Sequence, residues 1–258
     1  MMKRKYFFFD IDGTLTTHKV LSDIILPSTL QTLKQLQENG HFVAVVSGRP
    51  MLHLQPLLSV LPVEYIIYDC GYSILKNKEI YEQKGIDKEV CLKFHNSCIQ
   101  HKIPYAYFSN ENKYFQTSSI QLKDRIELNG HWGKGYKIQD VNIENITITR
   151  FLVDEKWYTY NEEKDHTLIL NSLDGGLVNV EGNAKWEGVD FLVQQLHAPK
   201  EDVVCFGDGY NDIEMIKQAP IGIAMGNAMN EVKQVADFIT NNSDEDGVYV
   251  ACKKFGWI

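Results

Sequence analysis

Tyr6-Phe7-Phe8-Phe9-Asp10-Ile11-Asp12-Gly13-Thr14 joins an unbroken apolar run to an acidic turn. Four consecutive aromatic side chains leave no polar face for water, so Tyr6 to Phe9 is expected as a strand buried on both sides. That is the condition of a parallel sheet covered by helices. Period-two geometry sends Asp10 and Asp12 to one side where the strand ends, and Gly13 lets the backbone turn away. Two carboxylates would then converge at the carboxyl edge of the sheet, the edge at which open α/β sheets bind ligands. With each residue type at roughly 5 to 7% of composition, D-x-D-G-T arises by chance in only about three of every thousand chains of this length.

Outward from this stretch, apolar runs alternate with helical patterns. Leu30, Leu33 and Leu36 share a helical face that stops at Gly40, and Phe42 to Val46 is the next strand. Met51, Leu54, Leu57, Leu58 and Leu61 mark a second helix, Tyr65 to Tyr68 a third strand, and Tyr72 to Leu75 with Glu79 to Tyr81 a hairpin around Lys76-Asn77-Lys78. Near residue 82 the rhythm changes. A helix (Asp87 to Gln100), strands near Tyr105 to Ser109 and Tyr114 to Gln116, and a short helix near Ile120 to Leu128 precede a polar, Gly-rich stretch, Asn129 to Asn145. A strand (Ile146 to Val153), a helix (Asp154 to Lys164) and strands at Thr167 to Leu173 and Leu177 to Val180 follow. The first rhythm then resumes: helix Trp186 to Leu196, strand Val203 to Phe206, helix Asn211 to Gln218, strand Ile221 to Ala224, helix Glu231 to Ala236 and strand Phe238 to Thr240. The expected fold is α/β, a Rossmann-like parallel-sheet core of residues 1–80 and 181–258 with an inserted α+β domain of residues 81–180.

Composition narrows the function classes. The 258 residues carry 26 Lys and Arg against 34 Asp and Glu, a net charge of −8, with 44% hydrophobic and 23% charged residues, which excludes a disordered chain or a coiled coil. No dense basic cluster follows Lys3-Arg4-Lys5, so a nucleic-acid partner is not expected. The apolar stretch behind that cluster is stopped by Asp10, short of the about 7 to 15 residues of a secretory signal, and no run approaches the roughly 18 of a membrane span. A soluble, cytoplasmic protein is expected, with no membrane association and no obligate protein partner. The five cysteines (Cys70, Cys91, Cys98, Cys205, Cys252) include no C-x-x-C pair and are expected as inert thiols.

Three further stations carry chemistry. Ser47-Gly48-Arg49 closes the second strand just before a helix, where a hydroxyl and free backbone N–H groups form an anion seat. Lys185 stands at the start of the helix Trp186 to Leu196, a position at which a lysine is ordinarily a solvated charge. Gly207-Asp208-Gly209-Tyr210-Asn211-Asp212 brings two more carboxylates and an amide to the carboxyl edge, a set suited to a hard, oxygen-seeking cation.

In this order the four stations resemble those of the haloacid dehalogenase-like hydrolases, most closely the Cof-type phosphatases, which carry a large cap inserted after the third core strand. Gly207 to Met215, Ala224-Met225-Gly226-Asn227-Ala228 and Asp244-Glu245-Asp246-Gly247-Val248 are similar to that family's ending. Two departures stand out: Cys70-Gly71, preceded by Asp69, occupies the place where many relatives have Asn-Gly, and Trp186 follows Lys185 where relatives often have Gly. The resemblance implies that Asp10 is a nucleophile forming an aspartyl-phosphate and that Asp12 is general acid, then general base. It implies Mg²⁺ held by Asp10, the backbone carbonyl of Asp12, and Asp208, with Asp212 in support. Ser47, Gly48, Lys185 and Asn211 would clamp the phosphoryl group, and a small phosphomonoester such as a sugar phosphate would be the substrate.

Charge supports the metal on separate grounds. A phosphomonoester brings about −1.5 to −2 to a site with as many as four carboxylates, and like charges ~5 Å apart repel by roughly 3 kcal/mol at an effective dielectric of 20. One lysine does not offset that; a divalent cation with Lys185 does. A phosphomutase and a non-catalytic sugar-phosphate sensor remain as alternatives, with intact Asp10 and Asp12 weighing against the sensor. Selection of the leaving group is expected of the inserted domain, with Lys134 and Tyr136 among its candidates.

Overall fold

The structure, a computed structural model, describes residues 3–17, 24–109, 115–128, 137–138, 143, 146–160, 168–173 and 176–258. β1 (Tyr6–Asp10) buries Phe7, Phe8 and Phe9 completely, as a run of aromatics with no polar face demands. α1 (Pro27–Glu38) begins on a proline, where a missing N–H leaves nothing unsatisfied, and is followed by β2 (Phe42–Val46). The helix expected to reach Leu61 stops early. α2 (Met51–Leu54) gives way to a tight 3-10 turn at Gln55–Ser59, because Pro56 has no N–H to continue the α-helical ladder. β3 (Tyr65–Tyr68) and β4 (Ser73–Lys76) pair antiparallel, and Asn77 and Lys78, at φ 52° and 69°, turn the chain into β5 (Glu79–Gln83).

α3 (Lys88–His101) is capped by the Asp87 carboxylate, which accepts from the Glu89 and Val90 N–H groups. β6 (Tyr105–Ser109), β7 (Phe115–Thr117), α4 (Ile120–Leu128), β8 (Lys137–Ile138), β9 (Ile148–Asp154), β10 (Leu168–Leu173) and β11 (Leu177–Gly182) follow. Where a helix from Asp154 to Lys164 was expected, a 3-10 turn runs over Glu155–Tyr160; residues 161–164 lie outside the described residues, as do Lys134 and Tyr136. The chain then forms α5 (Lys185–Gln195), β12 (Val203–Gly207), α6 (Ile213–Gln218), β13 (Ile221–Ala224), α7 (Asn230–Val235), β14 (Phe238–Ile239) and α8 (Gly247–Lys254).

Two compact units result: Met1–Glu82 with Ala184–Ile258, and Gln83–Asn183. In the first, eight strands take the order β14-β13-β12-β1-β2-β3-β4-β5, parallel from β14 to β3. The sequence advances from β1 to β2 on one side and jumps to β12 on the other, so the topological switch point lies between β1 and β12. Phe9 and Phe206 stack across that pair, with ring centroids 4.7 Å apart. In the second unit six strands take the order β10-β11-β9-β6-β7-β8, antiparallel except for β7 with β8. Phe94 of α3 stacks on Phe151 of β9 with centroids 4.2 Å apart. The same sheet carries a polar row: buried Glu181 accepts from half-buried Asn171 and buried Asn179 and pairs with buried Arg150. Among the described residues no helix is long and apolar enough to cross a membrane.

Candidate active site

Asp10 ends β1 and is buried. Beyond it the chain winds through one wide turn, Ile11–Leu15, closed by the Thr16 N–H and the Thr16 hydroxyl, which donate to the Ile11 carbonyl at 2.9 and 3.0 Å. Gly13 sits there at φ +81°, and a Cβ on it would lie 2.2 Å from Asp208 Oδ2, so only glycine fits. This winding ends the period-two alternation at Asp10. The two carboxylates expected to converge therefore occupy different surroundings: Asp10 is buried, whereas the Asp12 side chain is 58% exposed and forked by Arg49.

What Asp10 meets instead comes from the far end of the chain. Lys185, at the first turn of α5, is buried rather than solvated, and its Nζ donates to Asp10 Oδ1 at 2.7 Å, Asp212 Oδ1 at 2.6 Å and Asn211 Oδ1 at 3.2 Å. Asp212 Oδ2 accepts the Asp208 and Gly209 N–H groups at 3.0 and 2.9 Å. That fold-back makes a tight turn of Tyr210–Asp212, so the helix expected from Asn211 starts at Ile213. Asp208 follows β12, so it faces Asp10 across the switch point; Thr14 donates to its Oδ1 and Asn227 to its Oδ2, both at 3.2 Å.

Asp10, Asp208 and Asp212 each offer an oxygen within 4.8 Å of the others, all three residues being buried. Carboxylates at that spacing repel by about 3–4 kcal/mol per pair at an effective dielectric of 20. Burial first, and then the charge on Asp212, hold the Asp10 carboxyl well above the usual range despite Lys185. The same two causes push Asp208 up to about 7. Burial opposes the charge on Lys185, but Asp10 and Asp212 outweigh it and keep the ammonium above its usual range. Among the described residues these three acidic groups share one cation, which leaves the cluster short of positive charge. An all-oxygen donor set with that shortfall fits a hard divalent ion.

The second strand ends just before Ser47 and Gly48, the residues expected to seat an anion. Ser47 is buried, its Oγ accepting the Arg49 N–H at 3.0 Å. A Cβ on Gly48 would lie 2.9 Å from Asn211 Nδ2 and 3.3 Å from Cys70 Sγ, so this glycine lets the Asn211 amide approach the end of β2. Asp69 and Cys70 are left-handed, at φ 50° and 56°, which costs roughly 1–2 kcal/mol per residue. They are held there by the Asp69 N–H to the Arg49 carbonyl and the Cys70 N–H to the Ser47 carbonyl, both at 3.0 Å. Asparagine tolerates this conformation better than cysteine does, which gives the Cys70 departure a physical meaning.

Thr14, Arg49 and Asn227 lie in segments whose motifs were legible, yet sequence alone assigned them no part. Asn227 matters most, since its amide also donates to the Gly13 carbonyl at 2.8 Å while its Oδ1 accepts the Ser243 N–H at 2.8 Å. It ties Asp208 to the turn after Asp10. Its signal was the Gly226-Asn227-Ala228 run.

The family model described as haloacid dehalogenase-like hydrolase matches residues 7–251, a span holding every residue of this cluster. The chain belongs to the haloacid dehalogenase-like hydrolases. The Bacillus subtilis protein named "Putative phosphatase YkrA" is 31% identical, over 99% of this chain and 99% of its own length. From the same organism, 5-amino-6-(5-phospho-D-ribitylamino)uracil phosphatase YcsE is 26% identical over 96% of this chain and 94% of its own. Among solved structures, that of the sugar phosphatase BT4131 superposes with a TM-score of 0.78 at 25% identity, covering 98% of this chain and 100% of the other. This haloacid dehalogenase-like hydrolase is an enzyme with a phosphoryl-transfer site built on its aspartate cluster.

Proposed function

We propose that the chain is a Mg²⁺-dependent phosphomonoester hydrolase of the Cof type, acting in the cytoplasm on a small phosphorylated metabolite such as a sugar phosphate. The observation that carries this reading is Lys185 bridging buried Asp10 and Asp212 beside Asp208: a carboxylate nucleophile in a site short of positive charge. Relatives named as phosphatases, one of them a sugar phosphatase, favour the substrate class. Five cysteines, none in a disulfide, suit a reducing compartment.

In this reading an Asp10 oxygen attacks phosphorus, a P–O bond to Asp10 forms, and the ester oxygen leaves with a proton from Asp12. Water then attacks the same phosphorus, gives its proton to Asp12 and frees Asp10. Ser47, the Gly48 N–H, Lys185 and Asn211 hold the phosphoryl oxygens, and Asp10, Asp208, Asp212 and the Asp12 carbonyl would hold Mg²⁺. When bound, the cation offsets carboxylate and phosphate charge so that one anion can approach the other. Everything these residues touch is common to all phosphomonoesters. Choice of leaving group therefore falls to the inserted unit.

The test is phosphate release from a panel of phosphomonoesters with Mg²⁺ and with EDTA. Turnover abolished by EDTA and restored by Mg²⁺ is expected; undiminished turnover under thorough chelation would sink the metal assignment.

A further inference from the structure

We infer that Arg49 is a positioning residue for Asp12: a guanidinium fork that fixes the plane of the carboxylate assigned to proton transfer. The inference rests on the phosphomonoesterase reading above. Arg49 Nε donates to Asp12 Oδ2 at 2.9 Å and Nη2 to Oδ1 at 2.5 Å, a two-point grip, while Nη1 donates to the His53 carbonyl at 3.2 Å. The main chain of Arg49 is fixed as well, its N–H on Ser47 Oγ and its carbonyl accepting from Asp69, both at 3.0 Å. The arginine side chain is only 16% exposed, so a well-anchored group holds one that is 58% exposed.

Stability does not explain this pair. An ion pair with one partner in solvent contributes little to stability, because water screens it and ordering the side chains opposes it. Orientation does explain it. The wound turn after Asp10 carries Asp12 out of the strand, away from the packing that fixes Asp10, and an exposed carboxylate at such a place turns freely unless something grips it. A carboxylate has about four lone-pair sites, and the fork takes one on each oxygen, leaving the others for proton transfer while the plane stays fixed. A lysine, a point charge without a planar fork, does not define that plane. The strained Asp69-Cys70 backbone, anchored on the Arg49 and Ser47 carbonyls, then serves the same end by holding the root of the fork.

The competing role is direct: the guanidinium binds the substrate phosphate itself. The two roles separate in a double-mutant cycle on the full chain with Mg²⁺, comparing wild type, Arg49→Ala, Arg49→Lys, Asp12→Ala and the Arg49→Ala/Asp12→Ala pair. Substrates are a hexose 6-phosphate, whose alkoxide needs a proton to leave, and p-nitrophenyl phosphate, whose leaving group does not. For the hexose phosphate, Arg49→Ala should lower kcat at least tenfold with KM changed less than threefold. Arg49→Lys should recover little. The pre-steady-state burst with p-nitrophenyl phosphate should stay within threefold of wild type, and millimolar methylguanidinium should restore part of the lost kcat to Arg49→Ala. In the Asp12→Ala background the same substitution should cost no more than twofold. A tenfold further loss there, or a KM raised tenfold for both substrates, makes Arg49 a substrate ligand and overturns the inference, as does an unchanged kcat. A wild-type protein inactive on every phosphomonoester sinks the phosphatase reading and this inference with it, a result distinct from an active enzyme indifferent to Arg49.

Discussion

Replacing Lys185 by methionine keeps the length and apolar stem of the side chain and removes the one cation that the described residues place in the aspartate cluster. Its Nζ lies 2.7 Å from Asp10 and 2.6 Å from Asp212, and all three residues are buried. Removing one partner of a buried ion pair costs about 3–5 kcal/mol, because the remaining charge has no compensation. The cost must depend on pH. Asp10 already titrates well above the ordinary carboxylate range, and Asp208 is pushed up to about 7. A carboxylate whose folded pKa lies above its unfolded value makes the folded state bind the extra proton. Stability therefore falls as pH rises from the unfolded value to the folded one, and the penalty is complete above that. Loss of the ammonium moves the folded values further up. In urea denaturation of metal-free protein, the deficit of Lys185→Met should be about 3–5 kcal/mol near pH 8 and should shrink markedly near pH 5. Added Mg²⁺ should narrow the deficit near pH 8 by supplying charge. An equal deficit at both pH values, unmoved by Mg²⁺, would refute the electrostatic account and leave lost packing in its place.

Two further outcomes are expected. Asn227→Ala removes the donor shared by Asp208 Oδ2 and the Gly13 carbonyl; a hydrogen bond to a charged group is worth about 1.5–3 kcal/mol, so the Mg²⁺ concentration needed for half-maximal thermal stabilisation should rise about tenfold or more, and an unchanged concentration would show that Asp208 orients itself. Exchange of residues 83–183 for the corresponding unit of a relative with another preferred substrate should re-rank kcat/KM across a phosphomonoester panel; a folded chimera that keeps the parental ranking would return selectivity to the core, beginning with Asp69-Cys70-Gly71.

How much was legible follows from where the information lies. β1, β2 and β12 are buried along their length, so each shows in the sequence as an apolar run, and the residues where they end carry three of the four stations. The burial of Lys185 was not legible. Its partners are 175 and 27 residues away, and nothing local separates such a lysine from a solvated one. Asp12 misled for a local reason: strand periodicity was extended through a turn that Gly13 and Thr16 wind into another geometry. α8, whose buried Gly247, Val248, Ala251 and Cys252 line one face, was hidden because its first residues read as the end of an acidic motif. The helices from Met51 and Asp154 were overextended where a 3-10 turn takes over, at Pro56 in the first case and directly after β9 in the second.

In the proposed reaction Asp10 becomes phosphorylated during turnover. Quenching the enzyme in acid during steady-state turnover of a phosphomonoester with Mg²⁺, reducing with borohydride and sequencing peptides by mass spectrometry tests it directly, since reduction of an acyl phosphate converts the aspartate to homoserine. Homoserine is expected at position 10 alone, and none in Asp10→Asn protein, which should also release no phosphate. Homoserine at another aspartate, or sustained turnover by Asp10→Asn, would contradict it.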